Sequence, residues 1–156
     1  MLFHSTRGVD KDKTFADILM QGLASDGGLF MPDTWPQVEI EKIESMQSFQ
    51  EIAEYIVPFF TASSFSEQET HKLLKDAWHD FEIESLIEIK PFNNYSILEL
   101  FHGPTAAFKD FGLQLAAAFF NEILNQENKT ALVLGATSGD TGSAAVSYTH
   151  LTLPTT

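Results

Sequence analysis

The segment from residue 131 onward constrains the fold more than any other part of the chain. An apolar run covers residues 131–134, Ala-Leu-Val-Leu, and a loop rich in glycine and hydroxyl side chains follows it from Gly135 to Ser143. A continuous apolar run between turn residues is typical of a buried strand in a parallel sheet. Upstream, residues 86–89 and 96–100 read as short strands and residues 106–125 as a helix. The order strand, helix, strand, loop, helix predicts a parallel α/β fold.

The first 85 residues have helical rather than strand periodicity. Three helix starts are predicted by a Ser or Thr followed three residues later by an acidic residue, namely Thr14 with Asp17, Ser48 with Glu51 and Ser66 with Glu69. Pro58 lies late in the second helix and is expected to kink or end it. The sequence therefore predicts a helical N-terminal domain over residues 1–85 and the beginning of an α/β domain over residues 86–146.

The last ten residues, 147–156, have a different texture. They are rich in Thr, carry no acidic residue, Lys or Arg, and lack helical periodicity. One strand and a partial helix do not complete a parallel sheet, so the α/β domain is expected to be truncated. We expect the tail to be foreign to the gene that encodes the rest of the chain.

Charge and composition exclude several classes of function. Nine Lys and Arg residues stand against 22 Asp and Glu, which gives a formal net charge of -13, so no nucleic-acid partner is expected. The absence of cysteine excludes disulfides and thiolate metal sites, and no histidine pair has the spacing of a zinc motif, so no metal is predicted. No apolar stretch approaches the ~20 residues that span a bilayer, and the start lacks a signal peptide's apolar core. A cytoplasmic protein without membrane attachment is expected.

Lys109 is the candidate catalytic residue. It follows the turn Gly103-Pro104-Thr105, where Thr105 could cap the next helix, and Phe108 and Phe111 flank it. The positive end of a helix dipole and apolar neighbours both disfavour the ammonium form, and the free amine is what Schiff-base chemistry needs. From the residues alone, a solvated surface lysine remains an open alternative.

The glycine-rich loop is the candidate ligand site, because loops between a strand and the next helix bind ligands in parallel α/β proteins. Its backbone amides at a helix N-terminus suit an anion. A nucleotide-binding P-loop is excluded, because Asp140 and Thr141 stand where that motif requires Gly and Lys. A plain tight turn remains the alternative reading.

Four segments together resemble the threonine synthase family. Residues 101–111, Phe-His-Gly-Pro-Thr-Ala-Ala-Phe-Lys-Asp-Phe, resemble the segment that carries the family's pyridoxal 5'-phosphate (PLP) lysine. Residues 5–8, Ser-Thr-Arg-Gly, and residues 22–32, Gly-Leu-Ala-Ser-Asp-Gly-Gly-Leu-Phe-Met-Pro, resemble two N-terminal motifs of the family, and residues 137–142 resemble its Thr-Ser-Gly-Asp-Thr-Gly loop. The resemblance implies a fold-type II PLP enzyme in which Lys109 binds the cofactor as a Schiff base and is catalytic. It also implies that five loop residues contact the substrate or the cofactor's edge, namely Thr137, Ser138, Gly139, Asp140 and Thr141.

The implied reaction converts O-phospho-L-homoserine and water to L-threonine and phosphate, the last step of threonine biosynthesis, by PLP-dependent γ-elimination and β-addition of water. The loop for the PLP phosphate and the partner of the pyridine nitrogen are expected downstream of this chain, so the fragment alone is expected to be inactive. Two alternatives stay open. Another fold-type II lyase, such as a threonine or serine dehydratase, would lack the two N-terminal motifs, and a non-catalytic binding domain would not need Lys109. The oligomeric state is left open.

Overall fold

A computed structural model describes residues 1–148, and the expected foreign origin of the tail concerns residues that lie largely outside this range. The chain divides into two compact units, residues 1–72 and residues from 73 onward. The boundary predicted near residue 85 separates a helical domain from an α/β domain, and it stays a prediction. Among the described residues, no helix combines the length and the apolar character needed to cross a membrane.

The first unit combines short helices with a small sheet. Its helices are α1 (Phe15–Gln21), α2 (Ile40–Ser45), α3 (Phe49–Thr61) and the first part of α4 (Glu67–Ala77). The strands β1 (Phe3–Ser5) and β2 (Phe30–Pro32) pair antiparallel, with Ser5 opposite Phe30. Sequence periodicity did not reveal this sheet, because strands of three residues are too short to show an alternating pattern.

The three predicted helix starts are confirmed, with one difference in detail. Thr14 and Asp17 form a complete capping box at α1. The Ser48 hydroxyl accepts a hydrogen bond from the Glu51 amide at α3, but the Glu51 carboxyl group accepts from the amide of Gln47 rather than from that of Ser48.

Pro58 neither ends α3 nor leaves it unsupported, because the helix continues to Thr61. Proline has no N–H, so the carbonyl of Glu54, four residues earlier, lacks the hydrogen-bond donor that a helix ordinarily supplies at that position. Nε2 of His71, on α4, lies 2.9 Å from that carbonyl oxygen. A side chain from the next helix therefore replaces the hydrogen bond that the proline removes.

The second unit contains the rest of α4, a hairpin and two helices. The hairpin strands β3 (Glu88–Phe92) and β4 (Tyr95–Glu99) pair antiparallel, and the helices are α5 (Lys109–Gln126) and α6 (Asp140–Tyr148). The sequence placed α5 three residues too early. The buried apolar residues described in this unit are Leu73, Leu74, Ala77, Trp78, Leu86, Ala118, Phe119, Ile123 and Ala144.

The predicted parallel strand at residues 131–134 is wrong for this structure. The segment forms no strand, and Leu132 and Leu134 are 83% and 85% exposed. A strand is stable only when a neighbour satisfies its backbone groups, and the only strands of the described second unit, β3 and β4, pair with each other. The apolar run is therefore extended chain, although the loop and helix predicted after it are present.

Candidate active site

Lys109 is the first residue of α5, and its side chain is about one-third exposed. Its Nζ lies 3.7 Å from Oδ2 of Asp140, the first residue of α6, and 4.5 Å from the centroid of the Phe108 ring. The lysine and the glycine-rich loop, 31 residues apart, are therefore neighbours. The lysine combines access to solvent with an acidic partner and an aromatic face.

The turn before Lys109 is held by Asp110, which is fully buried. Its carboxyl oxygens accept hydrogen bonds from the backbone N–H of Thr105 at 2.9 Å and from the Thr105 hydroxyl at 2.7 Å. The prediction that Thr105 caps α5 is wrong, because the hydroxyl donates to Asp110 and the helix has no side-chain cap. Gly103 packs so closely on this carboxyl group that an added Cβ would lie 2.5 Å from Oδ2.

Gln114 extends this buried group towards α6. Its Nε2 makes long hydrogen bonds, 3.5 Å to Oδ1 of Asp110 and 3.4 Å to the carbonyl oxygen of Ala144. Sequence reasoning missed both Asp110 and Gln114 as site residues. The available signal was their spacing, since residues four apart share one face of a helix.

The glycine-rich loop is organised by Thr137. Its Oγ1 accepts hydrogen bonds from the amides of Gly139 at 3.2 Å and Gly142 at 3.1 Å. Gly139 has φ of +139°, and a Cβ on Gly142 would lie 2.9 Å from Thr137 Oγ1, so both positions favour glycine. These two amides are therefore already bonded within the loop.

The other predicted loop residues are exposed or half-buried. Within the described residues, the hydroxyls of Ser138 and Thr141 make no hydrogen bond, and Asp140 contacts Lys109. The structure thus groups Lys109 with the loop. Contact of the five loop residues with a substrate stays a prediction.

The two N-terminal motifs meet in the first unit, where the buried Ser5 hydroxyl donates to both carboxyl oxygens of Asp26, at 2.7 and 2.9 Å. Asp26 also accepts from the amides of Gly28 and Val9, and Arg7 donates to its backbone carbonyl. The Ser5 hydroxyl and these amides hold the pKa of Asp26 below its ordinary value of 3.8. These contacts join two loops, which gives the motifs a structural role.

One group of side chains in the described residues could hold a metal ion. The ligand atoms of Glu88, Glu99 and His102 lie within 4.8 Å of one another. Nε2 of His102 is already 3.1 Å from Glu99, and Lys90 pairs with Glu88. A cation therefore already neutralises one of the three, and the prediction of no metal stays a prediction.

Comparisons with known proteins agree on one family. The family model described as "Threonine synthase N terminus" matches residues 2–78. The threonine synthase of Pseudomonas aeruginosa is 40% identical over 149 residues, covering 94% of this chain and 32% of that protein. The PLP-bound threonine synthase structure from Brucella melitensis has a TM-score of 0.87 at 37% identity, and the yeast threonine synthase structure 0.84 at 35%, each covering 94% of this chain and 32% of the other. The chain thus spans about a third of the length of these relatives. Over 94% of its length the chain is therefore similar to threonine synthases.

Proposed function

We propose that residues 1–146 form the N-terminal part of a threonine synthase that converts O-phospho-L-homoserine and water to L-threonine and phosphate. The complete enzyme means this segment together with the downstream sequence of its gene. The observation that carries the proposal is the 3.7 Å approach of Lys109 Nζ to Asp140 in the glycine-rich loop. The lysine segment, residues 101–111, and the glycine-rich loop resemble separate parts of a threonine synthase site, and here they are in contact through Lys109.

The residues present fit a pyridoxal cofactor. Lys109 offers a primary amine on an accessible side chain, which is the group that an aldehyde cofactor requires. The loop beside it offers the hydroxyls of Ser138 and Thr141 and the first amides of α6, which suit the carboxylate of an amino acid. PLP supplies an electron sink for the carbanions formed at the substrate's carbons.

In this proposal the chain's own residues bind and move protons. Lys109 would hold the cofactor, and its Nζ would carry a proton between the reacting carbons of the substrate. Asp140, within ionic reach of that nitrogen, orients it. Phe108 covers one side of the amine and limits the access of water.

The same proposal includes a cytoplasmic location, supported by the cysteine-free composition. It also includes inactivity of the isolated chain, supported by its match to only about a third of each relative.

The test measures phosphate release and L-threonine formation by the complete enzyme supplied with PLP and O-phospho-L-homoserine. Borohydride reduction followed by peptide mass spectrometry should find the pyridoxyl group on Lys109. Lys109→Ala should abolish both the labelling and the formation of threonine. Lys129→Ala is the matched control, because Lys129 also pairs with an acidic side chain of the same unit, Glu127.

Other outcomes separate the alternatives. Formation of 2-oxo acids from L-threonine or L-serine, with no turnover of O-phospho-L-homoserine, would identify a dehydratase. PLP binding without turnover of any of these would indicate a binding domain. Labelling and threonine formation that persist in Lys109→Ala would refute the assignment of Lys109.

A further inference from the structure

We propose that Asp110 is a positioning residue, which together with Gln114 fixes Lys109 relative to the glycine-rich loop. This inference rests on the proposed function, because it concerns how the lysine is held for that reaction. Asp110 follows Lys109 directly, yet the two side chains have different partners. Lys109 is near Asp140, whereas the carboxyl group of Asp110 is fully buried against Thr105 and Gln114.

The first step is the turn between Gly103 and Lys109. Both carboxyl oxygens of Asp110 accept from Thr105, one from its amide and one from its hydroxyl. Gly103 leaves no room for a side chain against the same carboxyl group. The buried side chain of Asp110 therefore holds the turn before α5 through its hydrogen bonds to Thr105 and its close packing against Gly103.

The second step is the conformation of that turn. Ala106 has φ of +54°, in the left-handed region that residues with a Cβ seldom adopt. Such a conformation persists only where the surroundings impose it. The amide of Ala106 donates to the carbonyl of Gly103, and Thr105 directly precedes Ala106. The two residues that contact the Asp110 carboxyl group therefore lie next to the strained residue and hold its conformation. Without the clamp we expect the turn to relax, and Lys109 lies three residues beyond Ala106.

The third step is the link to the loop. Gln114 is one helical turn after Asp110, is almost fully buried and donates to both Asp110 and the carbonyl of Ala144 in α6. The same helix, α6, begins at Asp140, the partner of Lys109. Gln114 thus links Asp110, which holds the turn before Lys109, to α6, whose first residue contacts the lysine.

The role follows from what Asp110 does not touch. The lysine amine and the loop face one another at the protein's surface, and Asp110 lies behind them in the interior. Its loss should misplace the amine without removing any group that binds the substrate. A small misplacement of a reacting group can lower a rate by about 10²-fold. We therefore expect kcat to fall to about that extent while KM stays close to that of the wild type.

The experiment compares four variants of the complete enzyme. Asp110→Asn replaces one accepting oxygen by a donor, and Thr105→Val removes the hydroxyl donor at a half-buried position that should tolerate the change. Thr105→Ser keeps that donor and should restore activity. Glu122→Gln is the matched control, because Glu122 forms the same acid–glutamine pair four residues apart, with Gln126, on the exposed face of α5.

Three measurements are made on each variant: kcat and KM, the fraction of Lys109 labelled by borohydride reduction with PLP, and hydrogen exchange at the Thr105 amide. Asp110→Asn and Thr105→Val should lower kcat and the labelled fraction, and Asp110→Asn should speed exchange at Thr105. If Asp110→Asn does not fold, the comparison of kcat and the labelled fraction between Thr105→Val and Thr105→Ser decides the question.

Folded variants that exchange faster at Thr105 but keep kcat and full labelling would overturn the inference, since Asp110 would then serve stability alone. A loss of activity in Thr105→Val that Thr105→Ser does not restore would also contradict it. A wild-type enzyme that is neither labelled nor active would instead refute the proposed function, so the two failures are distinct.

Discussion

Nε2 of His71 lies 2.9 Å from the carbonyl oxygen of Glu54, the carbonyl that Pro58 deprives of its helical partner. The carbonyl accepts, so the ring nitrogen that faces it must carry the proton. A histidine that sequence reasoning weighed only as a metal ligand thus completes the hydrogen bonding of a proline-containing helix.

This relationship predicts coupling between His71 and Pro58. His71→Ala should lower the free energy of unfolding by about 1 kcal/mol, the net value of one hydrogen bond. In a Pro58→Ala background the new amide can bond to Glu54 itself, so the same change should cost less. Urea unfolding of the two single variants and the double variant measures the coupling. His79→Ala is the control, since His79 contacts the carbonyl of Asp76 at an exposed site. Strictly additive effects would contradict the prediction.

The pairing of Ser5 with Asp26 predicts a dependence of stability on pH. The pKa of Asp26 is held below 3.8 in the folded protein, chiefly by the Ser5 hydroxyl. A depressed pKa stabilises the fold above the unfolded value, and this contribution disappears as pH falls through the folded value. The stability difference between wild type and Asp26→Asn should therefore be constant above about pH 5 and shrink below it. Ser5→Ala should flatten this dependence. Urea unfolding at a series of pH values is the measurement, and a difference that grows on acidification would contradict it.

The close packing of Gly103 on Asp110 predicts opposite effects for two glycine substitutions. Gly103→Ala should destabilise the protein by about 1–3 kcal/mol, because the new methyl group overlaps a buried carboxyl group. Gly112→Ala should stabilise it by roughly 0.5–1 kcal/mol, because this glycine lies inside α5 with open space around its missing side chain. Thermal unfolding compares both with the wild type. Equal destabilisation by the two changes would refute the packing argument.

The contact between Lys109 and Asp140 predicts a kinetic effect. Asp140→Ala removes the acidic group 3.7 Å from Nζ and should lower kcat/KM of the complete enzyme on the order of 10²-fold through misplacement of the amine. Glu127→Ala removes an equivalent partner from Lys129 in an exposed pair outside the loop, and should leave the kinetics unchanged. Equal effects of the two variants would show that the contact of Lys109 has no special role.

The sequence predicted best those features that depend on neighbouring residues. The caps at Thr14, Ser48 and Ser66 are local hydrogen bonds over three residues, so their residue types reveal them. The turn at residues 103–105 also placed Lys109 near the start of a helix, although α5 begins three residues later than predicted and has no side-chain cap.

Features that depend on distant partners escaped the sequence. The pairing of β1 with β2 joins residues about 25 positions apart, and no local pattern encodes it. The apolar run at residues 131–134 has the composition of a strand but no strand beside it here. The direction of the Asp110 side chain, into the protein rather than towards Lys109, depends on the fold of the turn and not on residue type.

Thr137 gives the glycine-rich loop its shape from inside, by accepting from the amides of Gly139 and Gly142. A loop tied in this way has lost much of its conformational freedom when the protein folds, and ordering each residue's backbone costs about 1–2 kcal/mol. When a molecule binds in the loop, little further loop entropy is therefore lost. Its binding free energy can go into affinity and orientation, and replacing one threonine hydroxyl would transfer the ordering cost from the folding of the protein to the binding event.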